Sequence, residues 1–319
     1  CALLKPSNET QHTSHITGKI ISDTFDEEYI SVVYGPGRSV GPLIIENNRF
    51  DHIFFTGSPG VGKLIAGMAA KHLTPVTLEL GGKSPFIVFE DADLESAVND
   101  SVAGIFGASG QSCVAGSRLI VQDTIADEFL ARMTAIAEKI RIGDPQADET
   151  EMVPLCTAGQ MTHIETQVAN ARDEGATVLT GGARPEGLEG LYFQPTIIDC
   201  PRPDLTIVDT ELFGPVLSVL RFKTEAEAIA LANASVHGLA AGIFTLNGAR
   251  QMRVAKAVRA GIVWVNTYRA VSPIAPFGGF KNSGPGRESG VDSIYDYTRT
   301  KTVWINTSTE PMANPFVMR

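Results

Sequence analysis

The chain is short of cysteine, aromatic residues, positive charge and long apolar runs. Its 4 Cys, at positions 1, 113, 156 and 200, lie far apart and form no Cys-x-x-Cys pair, so no disulfide framework is expected. Isolated thiols in a chain of this size fit a reducing, cytoplasmic compartment. The 6 His show no metal-ligand pattern, and no metal site is expected. Lys and Arg number 26 against 36 Asp and Glu, and the net charge of −10 argues against a nucleic-acid partner. No run approaches the roughly 18–20 apolar residues needed to span a bilayer. The opening Cys1-Ala-Leu-Leu-Lys-Pro-Ser7 has no signal-peptide pattern, so no membrane partner is expected. An initiator Met is also absent, and the chain begins inside a run that reads as a strand.

What is present is the profile of a folded protein. Hydrophobic residues make up 43% and charged residues 19% of 319 positions, enough for a substantial core. Short apolar runs at Ala2–Lys5, Ile30–Tyr34, His52–Thr56, Val76–Leu80 and Phe86–Phe89 read as strands, with helical patterns such as Val61–Ala70 between them. Such alternation predicts an α/β fold with a parallel sheet covered on both faces. Further on, Leu94–Ala108, Asp127–Ile140 and Ala158–Glu174 read as helices, with Asp91 and Asp93 at the favoured end of the first. Ser218–Phe222, Gly242–Phe244, Ile262–Val265 and a last run, Thr302–Ile305, read as strands. The Gly- and Pro-rich stretch Thr267–Arg287 reads as a functional loop, and Asn306–Arg319 as a polar tail.

Phe54-Phe-Thr-Gly-Ser-Pro-Gly-Val-Gly-Lys63 reads as a strand, a Gly-rich turn and a helix start, which would offer backbone N–H groups to a phosphate. Gly57, Gly62 and Lys63 satisfy part of a P-loop, but the next residue, needed as Ser or Thr for Mg²⁺, is Leu64. The spacing also fails Gly-x-Gly-x-x-Gly. A phosphate contact and a plain strand–helix turn stand level here.

Cys1, Cys156 and Cys200 read as packing residues, because most cysteines in folded chains are inert fillers. Cys113 differs: Gly110, Ser112, Ala115 and Gly116 leave room for a substrate and free N–H groups beside it. Glu79 lies between leucines in Thr77-Leu-Glu-Leu-Gly-Gly-Lys83. It reads either as an outward charge on an edge strand or as a base whose pKa an apolar setting raises.

Six segments, in order and spanning nearly the whole chain, resemble the aldehyde dehydrogenase superfamily. They are Lys5-Pro-Ser, Phe55-Thr-Gly-Ser58, Leu78-Glu-Leu-Gly-Gly-Lys-Ser-Pro85, Gly110-Gln-Ser-Cys113, Glu211-Leu-Phe-Gly-Pro215 and Pro276-Phe-Gly-Gly279. The resemblance implies a Rossmann-like, parallel-sheet nucleotide-binding part over 1–78, an α/β catalytic domain over 79–290, and a C-terminal strand and tail over 291–319 serving oligomerisation. It implies oxidation of a small-molecule aldehyde with NAD or NADP, in a homo-oligomer, dimer or tetramer. Cys113 matches the nucleophile, passing through a thiohemiacetal and a thioester, and its N–H an oxyanion donor. Glu79 matches the base that activates water for hydrolysis. Glu211 matches the contact to the nicotinamide ribose and Phe213 the neighbour of the ring. Lys5 is similar to the adenosine-ribose contact, Ser58 with Gly57 to the pyrophosphate contact, and Leu80 to a further cofactor contact.

Three departures accompany the resemblance. The Glu usual three residues after the Lys is Asn8, followed by Glu9, which relaxes the expected preference toward NADP⁺. Family chains carry a considerable upstream segment, with the first nucleotide-binding strand and a catalytic Asn in a Trp-Asn-Phe-Pro-like motif, that these residues do not include. The implied identity is therefore the C-terminal part of such a chain. The likeness is also mosaic: Arg49–Pro85 resembles the dimeric branch acting on fatty and aromatic aldehydes, and the chain from Ala108 resembles broader bacterial members. A catalytically impaired or purely binding member of the fold, an acylating variant using coenzyme A and a P-loop hydrolase are the alternatives. Specificity is expected to depend on loop side chains such as Tyr268 and Phe277.

Overall fold

A computed structural model describes residues 1–26, 28–47 and 49–317. The first segment alternates β1 (Ala2–Leu4), α1 (Gln11–Thr24), β2 (Ile30–Val32) and α2 (Gly37–Asn47), with β1 and β2 paired in parallel. β3 (Ile53–Gly57), α3 (Pro59–Ala70) and β4 (Val76–Leu80) make a second parallel pair. α3 starts two residues before the expected Val61. Ser58 caps it, accepting from the Val61 N–H, and Pro59 fits the first helical position, where an N–H has no intrahelical partner. The Gly-rich stretch is thus the first turn of a helix.

From Pro85 onward the elements build a seven-stranded sheet. They are β5 (Pro85–Val88), α4 (Leu94–Phe106), β6 (Arg118–Gln122), α5 (Asp123–Ala137), α6 (Ala158–Asp173), β7 (Thr177–Thr180), β8 (Thr196–Asp199), the short α7 (Thr206–Asp209), β9 (Val216–Phe222), α8 (Glu225–Asn233), β10 (Ala240–Phe244), α9 (Gly248–Ala257) and β11 (Ile262–Val265). The spatial order is β11-β10-β5-β6-β9-β8-β7, parallel throughout except for β7 against β8. The central strands carry apolar residues on both faces because helices cover both: Phe86, Val88, Leu119 and Val121 pack toward α4 and α5, while Ile87, Ile120 and Ile243 pack toward α8 and α9. No helix among the described residues is long and apolar enough to cross a membrane.

Three sequence expectations change. α5 begins at Asp123, directly on the end of β6, instead of at Asp127. Residues 302–305 pair with no strand among the described residues; Trp304 is 92% exposed. The β-branched and aromatic composition there is suited to a strand, yet a strand forms only against a partner edge. Cys1 and Cys156 are exposed, so of the three cysteines expected to be packing residues only Cys200 is one.

Only four residues, 81–84, separate the small β3–β4 pair from the large sheet. The Gly- and Pro-rich C-terminal loop closes over the same place. Leu78 N–H donates to Pro285 O at 2.9 Å, and a Cβ on Gly284 (φ +108°) would lie 1.9 Å from Leu78 O. Thr77 Oγ1 donates to Asp296 at 2.8 Å, and Phe54 stacks on Tyr297. The strand that carries Glu79 is therefore held from both ends of the sequence.

Candidate active site

Glu79 is 4% exposed, which removes the reading of an outward charge. Neither carboxyl oxygen has a hydrogen-bond partner among the described residues, and a Cβ on Gly278 (φ +153°) would lie 2.8 Å from Oε1. A buried carboxyl without donors is costly to ionise. Burial first, and then the Glu288 charge, push its pKa up to about 8, against a smaller opposing pull from Arg287.

Cys113 is partly exposed and sits at a corner of the Ser112–Ala115 turn, which closes through Ala115 N–H to Ser112 O at 3.0 Å. Burial raises its thiol pKa most and the Glu79 charge adds to this, while the N–H groups of Val114 and Cys113 act in the opposite sense. Like-signed charge on two neighbouring acids makes their titrations a property of the pair. Near neutrality the site holds a thiol and a carboxylic acid, and base on Glu79 appears as pH rises toward about 8.

The loop before Cys113 is strained. Ala108, Ser109 and Gly110 have φ of 54°, 53° and 70°, a left-handed run that two of these residues disfavour. Polar ties compensate: Ser109 Oγ donates to Val153 O at 2.5 Å and accepts from Val153 N–H at 3.2 Å, and Gln111 Oε1 accepts from Cys156 N–H at 3.0 Å. Gly110 is required by space as well, because a Cβ there would meet Gly214 O at 2.0 Å. Gly110→Ala is accordingly expected to cost about 2–5 kcal/mol, from strain and overpacking together. A melting transition and turnover equal to the parent protein's would show that this approach is not close.

The Glu211–Pro215 loop lies on the other side of that contact. Glu211 Oε1 accepts from Gly82 N–H at 3.1 Å, and a Cβ on Gly81 would meet its other oxygen at 1.7 Å. Burial raises the Glu211 pKa, while Gly82 N–H and Lys83 lower it. Phe213 holds a positive φ of 48° and is 40% exposed beside Gly82, Gly110 and Ser112, with which it lines a small open crevice. Cys113, Glu79, Glu211 and Phe213 thus gather about one pair of glycines at the end of β4. Leu80 is buried there and its side chain covers Gly62 of α3. Gly57 and Ser58 stand at the start of α3, separate from the cysteine loop. Lys5, beyond β1, donates to Pro6 O at 2.8 Å, with Nζ 3.7 Å from a Cβ built on Gly37 at the start of α2.

Several contributors escaped the sequence reading. Gly81 O accepts from Ser283 Oγ at 2.8 Å and faces His237 Nδ1 at 3.2 Å, which pins the diglycine. Buried Arg118 donates to the carbonyls of Lys83, Leu231 and Ala232, and its neighbour Lys83 has its pKa lowered to about 8 by burial and by the Arg118 charge. The Leu-Gly-Gly-Lys run was the only signal for this cation. Tyr268 is a loop side chain whose direction the sequence leaves open. It is buried, with its hydroxyl on Val114 O at 2.9 Å. Phe277 packs, half-buried, against the main core.

A sequence model of the aldehyde dehydrogenase family matches residues 1–303. The (Z)-2-((N-methylformamido)methylene)-5-hydroxybutyrolactone dehydrogenase of Acinetobacter baylyi is 47% identical over 99% of this chain, which spans 65% of that protein. An aldehyde dehydrogenase of Emericella nidulans is 43% identical over 94% of this chain and 61% of its own length. The chain thus spans a little under two thirds of the relatives it matches. Among solved structures, betaine aldehyde dehydrogenase from Staphylococcus aureus in complex with NAD⁺ superposes with a TM-score of 0.90 at 37% identity, over 97% of this chain and 63% of that one. PnpE in complex with nicotinamide adenine dinucleotide superposes at 0.94 and 40% identity, over 98% and 65%. This chain belongs to the aldehyde dehydrogenase family.

Proposed function

We propose that the protein oxidises an aldehyde to a carboxylic acid with a nicotinamide dinucleotide, using Cys113 as nucleophile and Glu79 as general base. The observation that carries this reading is the pairing of a half-buried thiol with a buried, donor-free carboxyl at the end of β4. The Cys113 thiolate would attack the aldehyde carbon to give a thiohemiacetal, and loss of hydride from that carbon would leave a thioester. A bound nicotinamide supplies the hydride acceptor. Glu79, once ionised, would take a proton from water as that water attacks the thioester, releasing acid and thiol. The Cys113 N–H is suited to receive the developing oxyanion.

The residues fit such a cofactor. Gly81 admits no Cβ against Glu211 and Gly82 none against the Cys113 carbonyl, and Phe213 lies open beside the crevice. Glu211 is suited to accept from ribose hydroxyls, Leu80 to pack nearby, and Ser58 with Gly57 to face the pyrophosphate at the start of α3. We assign residues 1–78 to the nucleotide-binding part, 79–290 to the catalytic part and 291–319 to contacts between subunits, a role favoured by the exposed run Val303–Ile305.

The test is reduction of NAD⁺ and NADP⁺ across a panel of aldehydes. With Asn8 in place of the usual Glu and Lys5 beside Gly37, NADP⁺ is expected to be used within about 100-fold of NAD⁺ in kcat/KM. A larger preference for NAD⁺ would contradict the role given to Asn8. No aldehyde-dependent reduction of either would contradict the assignment itself.

A further inference from the structure

Tyr268 follows β11, and its ring occupies a slot left by three glycines. A Cβ on Gly242 would come within 2.6 Å of the ring, one on Gly104 within 2.9 Å and one on Gly116 within 3.3 Å. Gly104 lies inside α4 and Gly242 inside β10, where glycine weakens an element by roughly 0.5–1 kcal/mol relative to alanine. Phe86 and Trp264 flank the ring at centroid distances of 5.1 and 4.8 Å. A buried tyrosine needs a partner for its hydroxyl, and the acceptor here is Val114 O, 2.9 Å away.

That acceptor is the carbonyl of the residue after the nucleophile. Cys113 and Val114 occupy the two corner positions of the Ser112–Ala115 turn, and their N–H groups are the ones that favour the thiolate. The loop leading into the turn is tied through Ser109 and Gln111, and Val114 and Ala115 of the turn are buried in the main core. On the core side the Tyr268 hydroxyl holds the Val114 carbonyl, and through the Val114–Ala115 peptide it bears on the aim of the two N–H groups before it.

We propose that Tyr268 is a positioning residue for the nucleophile: its hydroxyl locks the Ser112–Ala115 turn so that the Cys113 and Val114 N–H groups stay directed at the sulfur. This rests on Cys113 being the nucleophile. The charged groups bearing on Cys113 are Glu79 from β4 and Glu211 from the loop before β9. Burial keeps the Tyr268 phenol protonated against the opposing pulls of Ser84 and Arg269, with Cys113 adding to the upward shift, so the hydroxyl is a constant donor.

The test compares Tyr268→Phe, which keeps the ring in its slot, with Phe86→Leu, which loosens the ring stack and keeps the hydroxyl. Iodoacetamide labelling of Cys113, mapped by mass spectrometry from pH 6 to 10, reads the turn directly on the thiol. In Tyr268→Phe the labelling midpoint is expected to rise by about half to one pH unit and kcat to fall about 3- to 10-fold. KM for NAD⁺ should stay within about twofold, because the loop holding Glu211 and Phe213 is untouched. Phe86→Leu should lower the melting temperature and leave the midpoint in place. An unchanged midpoint and kcat in Tyr268→Phe, or an equal shift in Phe86→Leu, overturns the proposal. Failure of the underlying reading looks different: Cys113→Ala would then retain turnover, whatever Tyr268→Phe does to labelling.

Discussion

Cys113→Ala is expected to abolish aldehyde-dependent NAD(P)H production, by a factor on the order of 10⁴–10⁶ in kcat, the scale on which removal of a covalent nucleophile acts. The loss should leave folding intact. Cys113 is partly exposed and lies at the corner of a turn whose closing bond runs between the backbones of Ser112 and Ala115, so alanine removes a sulfur and no support. Cofactor affinity, read by fluorescence of bound NADH, should be unchanged, because Glu211 and Gly82 keep their bond. Chemical labelling is a weaker route to the same conclusion than it is in a protein with one open thiol. Cys1 and Cys156 are also exposed, so an alkylating agent reacts at more than one position and loss of turnover points to Cys113 only when the label is mapped. Burial raises the Cys113 pKa, so its labelling at pH 7 should be slow and should accelerate on the alkaline side. Turnover of the alanine variant within tenfold of the parent's would remove Cys113 from the chemistry.

The parts of this protein that were legible in its sequence are those where one local force dominates. β4 and β11 were read with their observed limits and β5 within a residue, because buried parallel strands are short unbroken apolar runs. Cys113 stands out as a cysteine among small residues, whereas a carboxyl between leucines leaves both readings of Glu79 open and only the family resemblance chooses between them. What escaped is what depends on distant partners. The run Thr302–Ile305 has the composition of a strand, but composition does not provide an edge to pair with. The direction of Tyr268 is not legible, because nothing near it in sequence reveals slots at Gly104, Gly116 and Gly242. The positive φ of Ala108 and Ser109 has no local signature at all, since neither residue type asks for it; the distant contact of Ser109 to Val153 supports it.

Glu79→Gln is expected to separate the two halves of the reaction and to stabilise the protein at the same time. Acylation of Cys113 and hydride loss do not need the Glu79 carboxylate on the proposed path, but hydrolysis does. The expected trace is an initial burst of NAD(P)H stoichiometric with enzyme, followed by steady turnover lower by roughly 10²–10⁴-fold. In the parent protein the steady rate should climb with pH through about 8, the value to which burial and Glu288 push the carboxyl, and the variant's residual rate should lack that rise. Stability should move the opposite way. The folded pKa of about 8 lies above the ordinary 4.5, so between those values the unfolded chain loses a proton that the folded chain keeps. Ionisable Glu79 therefore lowers stability progressively as pH rises through that window, and the effect levels off above about 8. Glutamine does not titrate, so the variant should melt higher than the parent by a margin that grows from pH 5 to pH 8 and reaches on the order of a few kcal/mol. A slower and more stable protein is what a buried carboxyl without hydrogen-bond donors, kept for chemistry, should give on removal. Undiminished steady turnover would show that another group activates the water, and an unchanged melting profile across pH 5 to 8 would show that Glu79 is not buried as a neutral acid.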